Sequence, residues 1–121
     1  LDTGANLSFH ARLAGTHDGR WGDRLSQRLG LSDHLRKYPE ELSGGQQQRV
    51  AIGRTLATRP RLVLADEPTG NLDEATGDAV LELMLELVAE TGAALLMVTH
   101  SQRLAARMEA RRHLTGGTIS P

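Results

Sequence analysis

The fold of this chain is decided by the stretch Leu62-Val63-Leu64-Ala65-Asp66-Glu67-Pro68. Four apolar residues in succession are typical of a strand that is buried on both faces, as in a parallel sheet covered by helices. A helical pattern over residues 74–90 and a second apolar run over residues 94–99 follow it. The order strand, helix, strand predicts a right-handed βαβ unit of parallel strands, so we expect the α/β fold class.

The rest of the chain divides into two parts. Residues 1–42 contain helical patterns and no clear strand, which predicts a small helical subdomain. Residues 43–121 contain the βαβ pattern, preceded by a helix that Ser43 caps and that runs to about residue 58. A short helix over residues 101–108 and a hairpin that turns at Gly116-Gly117 complete this part.

Composition excludes several classes of function. The net charge of −1 gives no broad electrostatic reason to expect nucleic acid or an anionic membrane surface as a partner. The absence of cysteine excludes disulfides and thiol chemistry. The longest apolar run, residues 93–98, is far shorter than the roughly 20 residues that span a bilayer. Because the chain begins at Leu1 and not at Met, we expect it to be a fragment.

A candidate phosphate site lies at the predicted start of the first helix after residue 42. Ser43, Gly44, Gly45 and Gln46 combine a capping hydroxyl with two residues that allow close approach to the backbone. Free N–H groups and the helix dipole at such a terminus favour an anion. An ordinary serine-capped turn would give the same short pattern.

A second candidate site follows the first predicted strand, where Asp66 and Glu67 would lie at its carboxyl end. In open α/β sheets ligands bind at that end of the strands. One carboxylate suits Mg²⁺, and its neighbour could orient and deprotonate an attacking water. The alternative is a solvated acidic turn.

Two further candidate residues, Asp73 and His100, follow the second candidate site. Asp73 can cap the helix of the βαβ unit, which is a sufficient structural explanation for it. His100 follows the second strand, so the βαβ unit predicts that it lies beside Glu67 at the same edge of the sheet. The remaining histidines show no metal-ligand spacing, and we expect them to be surface residues: His10, His17, His34 and His113.

These four clusters, in this order on one βαβ unit, resemble the ATP-binding cassette ATPases, a class of P-loop NTPase. Residues 42–46 are similar to the family's signature motif, and residues 62–67 to its Walker B strand. Asp73 is similar to its D-loop aspartate, and His100 to its switch histidine. The run Thr69-Gly70-Asn71-Leu72-Asp73 resembles the branch that serves lipoprotein release, macrolide export and cell division.

The resemblance implies ATP and Mg²⁺ as ligands and ATP hydrolysis coupled to transport, with Glu67 and His100 catalytic and Asp66 on Mg²⁺ through water. It implies that Ser43, Gly44, Gly45 and Gln46 contact a nucleotide held by a second nucleotide-binding domain. A transmembrane permease subunit is the other implied partner. The implied location is the cytoplasmic face of the cell membrane. No nucleic-acid partner is implied.

One part of the family's machinery is absent from these residues. A P-loop needs Gly-Lys followed by Ser or Thr, and the single lysine, Lys37, lies between Arg36 and Tyr38. Three hypotheses remain open: a fragment of a transport ATPase, a non-transport ATPase of the same class, and an inert half-domain that acts as a binding module. Without the P-loop strand, the strand over residues 94–99 is expected to keep an open edge.

Overall fold

A computed structural model describes residues 1–121. Its helices are α1 (Thr3–Ala14), α2 (Gly19–Arg28), α3 (Gly44–Leu56), α4 (Glu74–Thr91) and α5 (Gln102–Ala105), with 3₁₀ turns at Ser32–His34 and Pro39–Glu41. Its strands are β1 (Leu62–Asp66), β2 (Ala94–Val98), β3 (His113–Thr115) and β4 (Thr118–Ser120). None of the helices combines the length and the apolar character that crossing a bilayer requires.

Local signals set the helix boundaries. Ser43 and Asp73 cap α3 and α4, each accepting a backbone N–H of the first turn, from Gln46 and from Thr76. Gly92 closes α4 in the left-handed conformation, with φ of 73°. The predicted end of α3 at about residue 58 is too late, because the chain leaves the helix after Leu56 and Arg59 adopts φ of 52°.

Strands β1 and β2 pair in parallel and flank α4 in the chain, which confirms the βαβ unit and the α/β class. Val63 lies opposite Leu95 and Ala65 opposite Met97. Val63 belongs to a cluster of 17 buried hydrophobic residues that draws on α1, α2, α3 and α4, and the other three side chains pack against this cluster. The cluster contains residues from both predicted parts of the chain, and the division into residues 1–42 and 43–121 stays a prediction.

The prediction that both strands are buried on both faces is wrong. The opposite face of the two-stranded sheet carries Leu62, Leu64, Leu96 and Val98, and each of these side chains is more than half exposed. Alternate strand residues point to opposite faces, and the helices of this chain cover only the face of Val63. The outer edge of β2 has no partner strand, so the expected open edge is present.

Helix α4 carries a row of carboxylates at four-residue spacing, and arginines from two other helices pair with them. At its beginning Arg103 of α5 pairs with Glu74 and Asp78. At its end Arg28 of α2 pairs with Glu86 and Glu90. Because a four-residue step advances about 40° around a helix, the row turns from the α5 side to the α2 side. These ion pairs thereby orient α5 and α2 against α4.

A glycine in the middle of α3 allows α1 and α2 to approach it closely. A Cβ at Gly53 would lie 2.5 Å from a δ-methyl group of Leu7 and 2.8 Å from one of Leu29. Both leucines are buried. Glycine weakens a helix, but here it is needed, because any side chain at position 53 would displace two core residues.

Candidate active site

The carboxyl ends of β1 and β2 meet at one edge of the sheet, as the βαβ pattern predicts. The residues that follow the strands are Glu67 after β1, and Thr99 and His100 after β2. The backbone N–H of Glu67 donates to the carbonyl oxygen of Val98 at 2.8 Å, which extends the pairing by one residue. This bond sets the two polar strand ends side by side.

The Glu67 carboxylate is held by the residues that follow β2. The backbone N–H of His100 donates to Oε1 at 2.6 Å, and the Thr99 hydroxyl donates to Oε2 at 3.2 Å. The Nε2 atom of His100 lies 3.8 Å from Oε1, and its ring is fully exposed. The carboxylate itself is 36% exposed. It is thus fixed in one orientation and still open to solvent on one side.

The backbone of Glu67 is unusual, with φ of 45°. A residue with a side chain seldom adopts this left-handed conformation, which costs on the order of 1–3 kcal/mol where the surrounding structure imposes it. The bond to Val98 on one side and the Gly70 N–H donating to the Glu67 carbonyl oxygen at 3.1 Å on the other hold it there. Such strain is concentrated at functional positions.

Asp66 shares a shallow open depression with this carboxylate. The depression is lined by polar and small residues: Asp66, Glu67, Gly70, Asn71, His100 and Ser101. The Asp66 side chain is exposed and accepts no hydrogen bond from a protein donor, so its oxygens are free to bind a ligand. No group of three His, Asp or Glu side chains is arranged to hold a metal ion.

The Ser43–Gln46 cluster is a capping box at the start of α3. The Gln46 N–H donates to the Ser43 hydroxyl at 3.1 Å, and the Ser43 N–H donates to Gln46 Oε1 at 2.9 Å. The N–H groups of Gly44 and Gly45 have no acceptor within the chain. The structure does not bring this cluster into the depression at Glu67, so the two candidate sites are separate on one chain.

The two glycines of the cluster contact the start of α4. A Cβ at Gly45 would lie 2.8 Å from Cγ2 of Thr76, and one at Gly44 would lie 3.3 Å from a methyl group of Leu72. The sequence analysis explained the two glycines by the close approach of a ligand. This explanation is incomplete, because the space that a side chain at position 45 would fill is occupied by Thr76 of the same chain.

Hydrogen bonds from the side chain and backbone N–H of Thr76 hold the pKa of Asp73 below its ordinary value.

Sequence reasoning missed two residues of these sites. It gave no role to Thr99, although a hydroxyl between an apolar strand and His100 is a signal that could have been used. It placed His34 at the surface, and this is wrong. His34 is half-buried, its Nδ1 atom is buried without a partner, and its Nε2 atom lies 3.4 Å from Gln46 Nε2.

Two solved structures of ATP-binding cassette proteins superpose on this chain. An inward-facing ABC transporter of metal-chelate type superposes with a TM-score of 0.75 at 24% identity, over 87% of this chain and 45% of that chain. The ADP conformation of MJ1267, an ATP-binding cassette of an ABC transporter, gives 0.65 at 30% identity, over 73% and 34%.

The chain belongs to the ABC transporter family, whose sequence model matches residues 3–70. The lipoprotein-releasing system ATP-binding protein LolD of Novosphingobium aromaticivorans is 56% identical, over 94% of this chain and 52% of the relative. The LolD protein of Hydrogenovibrio crunogenus is 55% identical, over 77% and 40%. The chain therefore spans about half the length of the curated relatives it matches.

Proposed function

We propose that the protein carrying this chain is an ATP-hydrolysing subunit of a membrane transport complex, of the lipoprotein-releasing type. The observation that carries the proposal is the Glu67 carboxylate, held by Thr99 and His100 at the meeting strand ends. The names of the similar proteins support the transport role. Nothing observed favours the non-transport ATPase hypothesis over it.

Glu67 is the proposed general base. Its two oxygens each accept one hydrogen bond from the β2 end, and each carboxylate oxygen has a second lone pair. An attacking water that donates to Glu67 would be oriented by the carboxylate and would lose its proton to it. The proposed role of the exposed His100 ring is to donate a hydrogen bond to a transferred phosphoryl group and so stabilise developing charge.

Asp66 is the proposed residue for Mg²⁺, through a bound water. Its exposed carboxylate offers the hard oxygen that Mg²⁺ prefers, and one or two carboxylates suffice when phosphate oxygens and waters complete the coordination. The donor set of this chain fits that arrangement. When bound, Mg²⁺ supplies neutralisation of the charge on the phosphates.

The free N–H groups of Gly44 and Gly45, with Ser43 and Gln46, are the proposed contacts to a nucleotide held by a second nucleotide-binding domain. Asp73, at the cap of α4, is the proposed D-loop aspartate. A permease subunit would hold the protein at the cytoplasmic side of the membrane. The 121 residues alone contain no Gly-Lys pair for a phosphate cradle, so by themselves we expect them to bind a partner and not to hydrolyse ATP.

The test is Glu67→Gln in the full-length protein. We expect kcat for ATP hydrolysis to fall by roughly 100-fold or more while ATP still binds, because the amide cannot take the proton. Glu109→Gln, a change at an exposed glutamate outside both candidate sites, is the matched control and should leave kcat unchanged. Wild-type turnover by the Glu67 variant would refute the assignment of the base.

A further inference from the structure

The two ends of the Gln46 side chain have different partners. Its Oε1 atom accepts the N–H of Ser43 at 2.9 Å, as half of the capping box. Its Nε2 atom is thereby directed the other way, toward Nε2 of His34 at 3.4 Å. The 3₁₀ turn Ser32–His34 supplies this contact from the helical part of the chain. His34, which lies outside the capping box, thus contacts Gln46, the side chain that completes the box.

The contact gives the two nitrogens different roles. An amide nitrogen only donates, so in this hydrogen bond Nε2 of His34 is the acceptor. The Nδ1 atom is buried and has no hydrogen-bond partner. No charged side chain forms an ion pair or hydrogen bond with His34. Gln46 is therefore its sole side-chain partner.

We propose that His34 is a positioning residue for the phosphate-binding end of α3. As an acceptor it fixes the amide orientation of Gln46, and Gln46 in turn holds the Ser43 backbone so that the Gly44 and Gly45 N–H groups stay directed outward. Without an acceptor at position 34 the amide would be free to rotate, and Oε1 would leave the Ser43 N–H. The proposal rests on the proposed function only in naming a phosphate as the ligand of α3.

Nuclear magnetic resonance of the full-length protein, labelled with ¹⁵N, tests the contact directly. The side-chain amide signal of Gln46 should differ between the wild type and His34→Phe, because the variant removes the acceptor. The Gln47 amide is an internal control, because it donates to the carbonyl oxygens of Pro39 at 2.8 Å and Leu42 at 3.3 Å, which the variant leaves in place. A Gln46 signal that is the same in both proteins would overturn the proposal.

Variants test the consequence for nucleotide binding. His34→Phe keeps a planar ring but removes the acceptor, and we expect KM for ATP to rise roughly 3–10-fold, the loss of about one hydrogen bond, with a smaller change in kcat. His34→Gln keeps an acceptor and should restore most of the loss. The control is His17→Phe, at an exposed histidine without a hydrogen bond.

The two proposals fail in distinguishable ways. Equal KM values for His34→Phe and the wild type would refute the positioning role even if the protein hydrolyses ATP normally. A full-length protein without ATPase activity would refute the proposed function, whereas a Gln46 amide signal that changes in His34→Phe would still support the role of His34.

Discussion

The substitution Gly53→Ala sets two opposite effects against each other in α3. In a helix interior alanine is better than glycine by roughly 1 kcal/mol, which by itself would stabilise the protein. The new methyl group would however lie 2.5 Å from Leu7 and 2.8 Å from Leu29, closer than side-chain carbons pack. Overpacking of a filled core costs roughly 1–3 kcal/mol. Two contacts below 3.0 Å place the cost near the middle of that range, about 2 kcal/mol.

We therefore expect Gly53→Ala to lower the free energy of unfolding by about 1 kcal/mol, the overpacking cost less the helix gain. Urea unfolding followed by circular dichroism measures this. The matched control is Gly22→Ala in α2, where an added Cβ meets nothing within 4 Å. There only the difference in helix propensity acts, so Gly22→Ala should raise the free energy of unfolding by roughly 1 kcal/mol.

A double-mutant cycle with Leu7→Val assigns the cost to its cause. Valine lacks the δ-methyl group that makes the closer of the two contacts, so in that background only the contact with Leu29 remains and Gly53→Ala should cost less. We expect a coupling energy of about 1–2 kcal/mol between the two positions. If Gly53→Ala stabilises the protein as much as Gly22→Ala does, or if the coupling is zero, the close approach of α1 and α3 described above is wrong.

Three further predictions concern the surface. Leu96→Lys, on the uncovered face of the sheet, should reduce self-association of the isolated chain in sedimentation velocity; a monomeric wild type would contradict this. Because the pKa of Asp73 is lowered, its cap stabilises the fold above the ordinary pKa of an aspartate, and this contribution is lost as the pH falls through the folded-state pKa. Asp73→Asn should therefore flatten the acid side of the curve of stability against pH, and parallel curves would contradict the cap. The Arg28 hydrogen bond holds the pKa of Glu90 below its ordinary value, so Arg28→Gln should raise it; an unchanged carboxyl titration by nuclear magnetic resonance would count against the pair.

The elements predicted well are those whose signals are local. Ser43 and Asp73 cap their helices with their own side chains, and Gly92 takes the backbone conformation that ends α4. The proximity of Glu67 and His100 was predictable because parallel strands bring their carboxyl ends to one edge, whatever the details of packing. Their chemical roles remain proposals.

The features that sequence reasoning missed depend on which residues, distant in the sequence, lie next to each other in space. An apolar run such as Leu62–Ala65 shows that a strand can be buried on both faces, but it does not supply the elements that bury it. A single histidine at position 34 carries no sign that a glutamine at 46 will need an acceptor. Likewise the reason for glycine at 45 lies 31 residues later, at Thr76, where no pattern connects the two.

The contact between Gly45 and Thr76 makes two positions mutually dependent under mutation. With Thr76 in place, no side chain at position 45 fits without displacement. If positions 45 and 76 are randomised together and active clones are selected, survivors other than glycine at 45 should carry a smaller residue at 76, such as serine or alanine. Serine would keep the hydroxyl beside Asp73, while alanine would lose it, so the second-site changes should favour serine. The first turns of α3 and α4 would then change together under selection.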